Sequence, residues 1–179
     1  MNQYTQYSNI NGVTKTMTEI HEGGCLCGAI RYRTVGRPKN AFVCHCTYCQ
    51  HASGTAFQMA VFFLKENVEF SGETPSTFDY QSPTHHRIIQ TQFCSRCGTR
   101  VGSTISRAPA FQLISGGTFD HLGWFKVDAH IFTESAVPWM TFPANVRCYE
   151  KHFITEAGEK VEPLPHQSEP WCFYSEKND

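Results

Sequence analysis

The chain has 179 residues, 40% of them hydrophobic and 17% charged, and a formal net charge of -1. That length can bury one real core, and the composition excludes a disordered chain. With no run of Lys or Arg, it also excludes nucleic acid or an anionic membrane as the main partner, since both are recognised by clustered basic charge.

In chain order, residues 1–20 are polar and read as a loosely ordered leader without the apolar centre of a signal peptide. No stretch reaches the roughly 18 apolar residues of a membrane helix, so a cytoplasmic location is expected. Residues 29–35 alternate apolar and polar and predict a strand; residues 55–64 are apolar, β-branched and aromatic and predict a buried one. Short strands follow at 67–70 and 76–80, split by Ser71-Gly72-Glu73. Residues 86–93 and 99–105 predict a hairpin with a cysteine pair at its tip, and Phe111–Ser115 and residues 127–132 two further strands. Only Thr47–Ser53 and residues 119–123 suggest helix or turn. The count of 14 phenylalanines suits a mainly β fold. Residues 21–146 are expected to form the main domain, which holds the clustered cysteines taken up below. Residues 147–179 read as a polar extension, ending in Trp171-Cys172-Phe173-Tyr174, that docks either on the domain or on a second subunit of a homodimer.

The 9 cysteines are an odd number, and in a reducing compartment their close spacing points to metal before disulfides. Gly24-Cys25-Leu26-Cys27-Gly28 and Cys94-Ser95-Arg96-Cys97-Gly98 are knuckles, each with a glycine after the second cysteine to close the turn. Together they supply four thiolates, the set of a structural zinc. Cys44, Cys46 and Cys49 have no knuckle to partner them, and three protein ligands with an open position is the pattern of a catalytic zinc. A second closed site, completed by a His or a distant Cys, is the alternative. Cys148 and Cys172 read as ordinary cysteines. His45 is expected to point away from the metal and His130 to be a hydrogen-bonded core histidine. His85 and His86 are expected to be solvated. His51 is near enough to be a fourth ligand or proton carrier, though a surface role fits it better.

Taken in order, these motifs resemble the glutathione-dependent formaldehyde-activating enzyme family, which includes the centromere protein V type. The resemblance runs from Glu22 to Trp139. It rests on the cysteine motifs with Ser53-Gly54 and Thr99, then Ser115-Gly116-Gly117-Thr118-Phe119-Asp120, His130-Ile131-Phe132-Thr133-Glu134-Ser135 and Pro138-Trp139. It implies an Mss4-like fold of twisted antiparallel sheets, a structural zinc on Cys25, Cys27, Cys94 and Cys97, and a second, weaker zinc on Cys44, Cys46 and Cys49. It also implies a carbon–sulfur lyase-type activity joining formaldehyde to glutathione as S-hydroxymethylglutathione, with a small thiol and an aldehyde as partners. A non-catalytic interaction module of the centromere type is the other expectation. Residues 140–179 depart from the family pattern.

Overall fold

The computed structural model describes residues 19–83 and 87–172, together with the backbone of two short strands, β1 (Asn9–Ile10) and β2 (Val13–Thr14), which pair with each other. His85, His86, Phe173, Tyr174 and most of the proposed leader lie outside the described residues.

Two sheets make the body of the molecule. The smaller has the order β3-β4-β7, from β3 (Ile20–Gly24), β4 (Ile30–Val35) and β7 (Val68–Gly72). The larger begins with β5 (Asn40–Cys44), β6 (Gln58–Leu64), β8 (Ser76–Gln81) and β9 (Ile88–Phe93). It continues with β10 (Arg100–Ile105), β11 (Phe111–Ser115), β12 (Ala129–Ile131) and β13 (Arg147–Tyr149). Its order is β13-β12-β5-β6-β11-β10-β9-β8. One helix, α1 (Thr47–Ser53), connects β5 to β6. No helix of the described residues is long and apolar enough to cross a membrane.

The fold is mainly β, as expected, and most of its strand pairs are antiparallel. The exception is β12, which runs parallel to both its neighbours, β5 and β13. Residues 119–123 were expected to form a helix or turn. A 3₁₀ turn spans Gly116–Thr118 just before them, Phe119 is extended and bridges to Gly23, and a bend at Asp120 and a turn beginning at Gly123 follow. The extended Phe119 is buried and meets Tyr32 edge to face at 5.3 Å.

Tyr32 from the small sheet packs with Ala41, Val61, Phe63 and Ile114 from the large one, all almost wholly buried. Each large apolar side chain so buried contributes roughly 1.5–3 kcal/mol. At the same junction Tyr32 Oη lies 2.9 Å from Thr118 Oγ1, and Arg31 forms an ion pair with Asp120. Two family-type motifs that lie far apart in sequence, around Gly23-Gly24 and Gly116-Gly117, therefore meet between the sheets.

Residues beyond 146, which composition sets apart, take part in this architecture. Arg147–Tyr149 is the edge strand β13. The Leu164 N–H donates to the Cys148 carbonyl at 2.8 Å, and the Phe142 N–H to the Trp171 carbonyl at 2.7 Å. Trp171 also stacks on Phe142, with ring centroids 4.7 Å apart.

Candidate metal centre

The four-cysteine group forms where two hairpins, one from each sheet, face each other. Cys25 and Cys27 lie in the turn between β3 and β4, and Cys94 and Cys97 in the turn between β9 and β10. Each turn is closed by a backbone bond from its glycine, Gly28 N–H to Cys25 O at 3.0 Å and Gly98 N–H to Cys94 O at 2.9 Å. Gly28 and Gly98 have φ of 76° and 71°, a left-handed conformation that side chains with a Cβ seldom adopt. Thr99 ties the knuckles together: its hydroxyl accepts from Leu26 N–H at 3.1 Å and lies 3.2 Å from Cys97 Sγ. That hydroxyl is the main influence bringing the Cys97 thiol down to about 5.

All four sulfurs lie within 4.8 Å of one another, with Cys25 to Cys27 at 3.5 Å and Cys27 to Cys94 at 3.7 Å. Thiolates bound tetrahedrally at about 2.3 Å from zinc would stand about 3.8 Å apart. The donor set and its spacing therefore fit a zinc ion.

The three-cysteine group is local. Cys44 ends β5, Cys46 is the N-cap position of α1, and Cys49 lies in the first turn of that helix. Cys44 and Cys46 sulfurs are 3.5 Å apart, and all three lie within 4.8 Å. No further His, Cys, Asp or Glu joins them among the described residues. Hydrogen bonds from Cys44 and Cys49 pull the Cys46 thiol down to about 3, and the same contacts push Cys44 up. The three sulfurs thus share charge as a unit, and their chemistry also fits a soft-thiolate metal such as zinc.

The surrounding wall comes from distant segments. Ile131 of β12 is in register with Cys44, and the His45 N–H donates to the Ile131 carbonyl at 3.0 Å. Gln50 anchors α1, its amide donating to the His45 and Ser135 carbonyls, both at 2.8 Å. Ser53 donates to the Cys49 carbonyl at 2.7 Å, and Gly54 is the left-handed C-cap of the helix. Gln50 and Ser53 are therefore committed to holding the helix rather than to a ligand. The His45 ring is buried against His130, Nε2 to Nδ1 at 2.9 Å, and both rings meet Phe142 edge to face. Burial pulls His130 down to about 4. His51 is exposed on the outer face of α1.

Three further neighbours, to which the sequence assigns no role at the site, stand out. Phe132 has φ 57°, unusual for a residue with a Cβ, and packs into the apolar cluster around Cys44. Arg100 donates to Gln58 Oε1 at 2.5 Å and to Tyr48 Oη at 3.3 Å. The Arg87 side chain, only 17% exposed, lies on the other flank, where its charge helps to hold Cys46 low. Arginines scattered through strands carry no spacing signal. Phe132 lies within the His130–Ser135 motif, but nothing in that motif marks its left-handed backbone.

Residues 20–135 match the sequence pattern of the family described as glutathione-dependent formaldehyde-activating enzyme. The chain belongs to this family. The match holds every cysteine of both groups and stops before β13. Among solved structures, this member of the glutathione-dependent formaldehyde-activating family is similar to a protein from Rhodobacter sphaeroides. Sequence identity is 18% and the TM-score 0.45, over 59% of this chain and 96% of that one. No curated protein sequence gives a match.

Proposed function

We propose that this protein is an enzyme that adds a small thiol of the glutathione type to an aldehyde, in the manner of S-(hydroxymethyl)glutathione synthesis, at the Cys44, Cys46 and Cys49 group. The observation that carries this reading is a cluster of three convergent thiols that no fourth protein ligand closes among the described residues. Zinc held there would lower the pKa of an incoming thiol, so that it reacts as the thiolate.

In the addition the sulfur forms a bond to the carbonyl carbon, the C=O π pair moves onto oxygen, and the proton given up by the thiol ends on that oxygen. No oxidant or reductant is needed. The chain's own part is to orient and to exclude water. Phe132 and the apolar cluster of Phe42, Ile131 and Tyr149 shield one side of the sulfurs. The Arg87 and Arg100 guanidiniums bring positive charge to the flanks of a site that gathers thiolates. The four-cysteine group, which joins the two sheets, serves the fold rather than the reaction.

The test is calorimetry with glutathione on the zinc-loaded protein and on Cys46→Ser, beside an adduct assay with formaldehyde. Binding to the parent should release a proton, so its heat should vary with the buffer. Equal binding to both proteins would remove the thiol from this cluster. Binding to neither would favour a non-catalytic interaction module.

A further inference from the structure

A cleft of about 490 Å³ opens beside the three-cysteine group, within the roughly 300–1,000 Å³ of small-molecule sites. Its walls come almost wholly from residues 150–164, beyond the segment the family shares, with Arg87 and Phe132 on the remaining side. Phe132 belongs both to this wall and to the apolar cluster around Cys44, and Arg87, on the same wall, is near enough for its charge to act on Cys46.

Its chemistry is mixed in a particular way. Ile154, Val161 and Leu164 give an apolar surface. Arg87 and Lys151 offer positive charge, and Glu150, Glu156 and Glu162 offer negative charge. Arg87 is mostly buried and pointed by its surroundings. Its contact with Glu156 is long, at 3.8 Å, whereas Arg107 holds the same carboxylate at 3.2 Å and also bonds the Thr155 carbonyl. Arg107 is therefore the residue that fixes the loop, which leaves the Arg87 fork suited to a carboxylate from outside.

We propose that this cleft is the chain's own specificity site and seats the carboxylate- and ammonium-bearing body of a zwitterionic peptide thiol, with Arg87 anchoring a carboxylate. A simple thiol such as mercaptoethanol has no group for it. The proposal rests on the thiol reading above but is separable from it, because a thiol-blocked peptide can occupy the cleft without touching the cysteines.

The experiment uses S-methylglutathione and glutathione as probes of the full zinc-loaded chain, read by calorimetry. S-methylglutathione should bind the parent and bind Arg87→Ala at least tenfold more weakly. Its diester, with both carboxylates masked, should bind the parent at least tenfold more weakly than S-methylglutathione does. Should Arg87→Ala melt early, Arg87→Lys keeps the charge and most of the reach of the side chain, and Arg87→Gln keeps a polar stem without the charge; Lys should recover part of the affinity and Gln less. Binding of S-methylglutathione within twofold of the parent in all three variants would overturn the proposal, as would equal binding of the diester. The thiol reading is scored separately, by whether glutathione binds more tightly than S-methylglutathione and whether Cys46→Ser erases that difference. Absence of binding by either peptide to the parent would overturn both.

Discussion

The two cysteine groups are built from the same atoms and held in opposite ways. The four-cysteine group draws on two hairpins from different sheets, 67 residues apart at Cys27 and Cys94, and each hairpin is braced by its own backbone bonds. The three-cysteine group lies on one short stretch, and its bracing comes from outside it, through Gln50, Phe132 and the His45–His130 pair. A ligand set that joins sheets stabilises the fold. A set carried on one strand end and one helical turn can lose its ion while the sheets remain paired. The contrast teaches that a metal site's role follows from which segments it connects as much as from its ligand count.

The largest expected effect breaks the first site. Cys97→Ala should lose the metal of the four-cysteine group and much of the stability that goes with it. Structural zinc is worth on the order of 10 kcal/mol in small modules, so the variant should melt far below the parent or fail to fold. Thermal melting with metal analysis checks this, and a parent-like melt with full zinc content would refute it. Next, Cys46→Ser should remove one metal equivalent, keep the β circular dichroism and melt within a few degrees of the parent. Mild chelation of the parent should empty the same site first. Simultaneous loss of both ions would erase the distinction drawn between the two groups.

A smaller effect probes the outside bracing. Trp171→Ala removes the ring stacked on Phe142, which in turn packs edge to face on His45, between Cys44 and Cys46 in the chain, and on His130 of β12. Aromatic pairs of this kind are worth about 0.5–1.5 kcal/mol beyond their buried area. The variant should lower zinc affinity at the three-cysteine group several-fold in a chelator competition and leave the four-cysteine group unchanged.

The smallest effect is one of pH. His152, on the cleft wall, accepts the Ile154 N–H on Nδ1 at 3.1 Å, and burial pulls it down to about 4. Its unfolded value is near 6.5. Between those values the unfolded chain holds the extra proton, so stability should fall as pH drops from about 6.5 towards 4 and be unaffected above 6.5. His152→Asn keeps an acceptor but does not titrate there. Denaturant melts of the parent at pH 6.5 and 5 should differ more than those of the variant; equal differences would show that His152 does not carry the acid sensitivity and would move it to the other buried histidines, His45 and His130, which burial also holds at about 4.

Much of this was legible in the residues. Alternation disclosed β4, and the strongly apolar run disclosed β6. The helix Thr47–Ser53 and the strand Phe111–Ser115 have the bounds that pattern predicts. Seven cysteines fall into two groups of four and three, as spacing suggests. What escaped has physical reasons. β5 is buried at four of its five positions, so no alternation marks it. β3 is polar and ends in two glycines, and β13 has three residues, too few for a period. The parallel placement of β12 and the approach of Arg87 to Cys46 are products of tertiary packing, on which local pattern is silent.

The four-cysteine group also constrains the order in which the chain can acquire its structure. The hairpin bearing Cys25 and Cys27 leaves the ribosome early and must wait for the Cys94–Cys97 turn. Closing a loop of that length costs roughly 4 kcal/mol of chain entropy before any contact repays it. The last strand to join the sheet, β13, is added later still, across β12 from the strand that carries Cys44. During synthesis, therefore, the nascent chain carries Cys44, Cys46 and Cys49 uncovered while the joint between its sheets is already able to form. Of the side chains that pack in the cluster with Cys44, Tyr149 and Phe153 are thus the last to arrive.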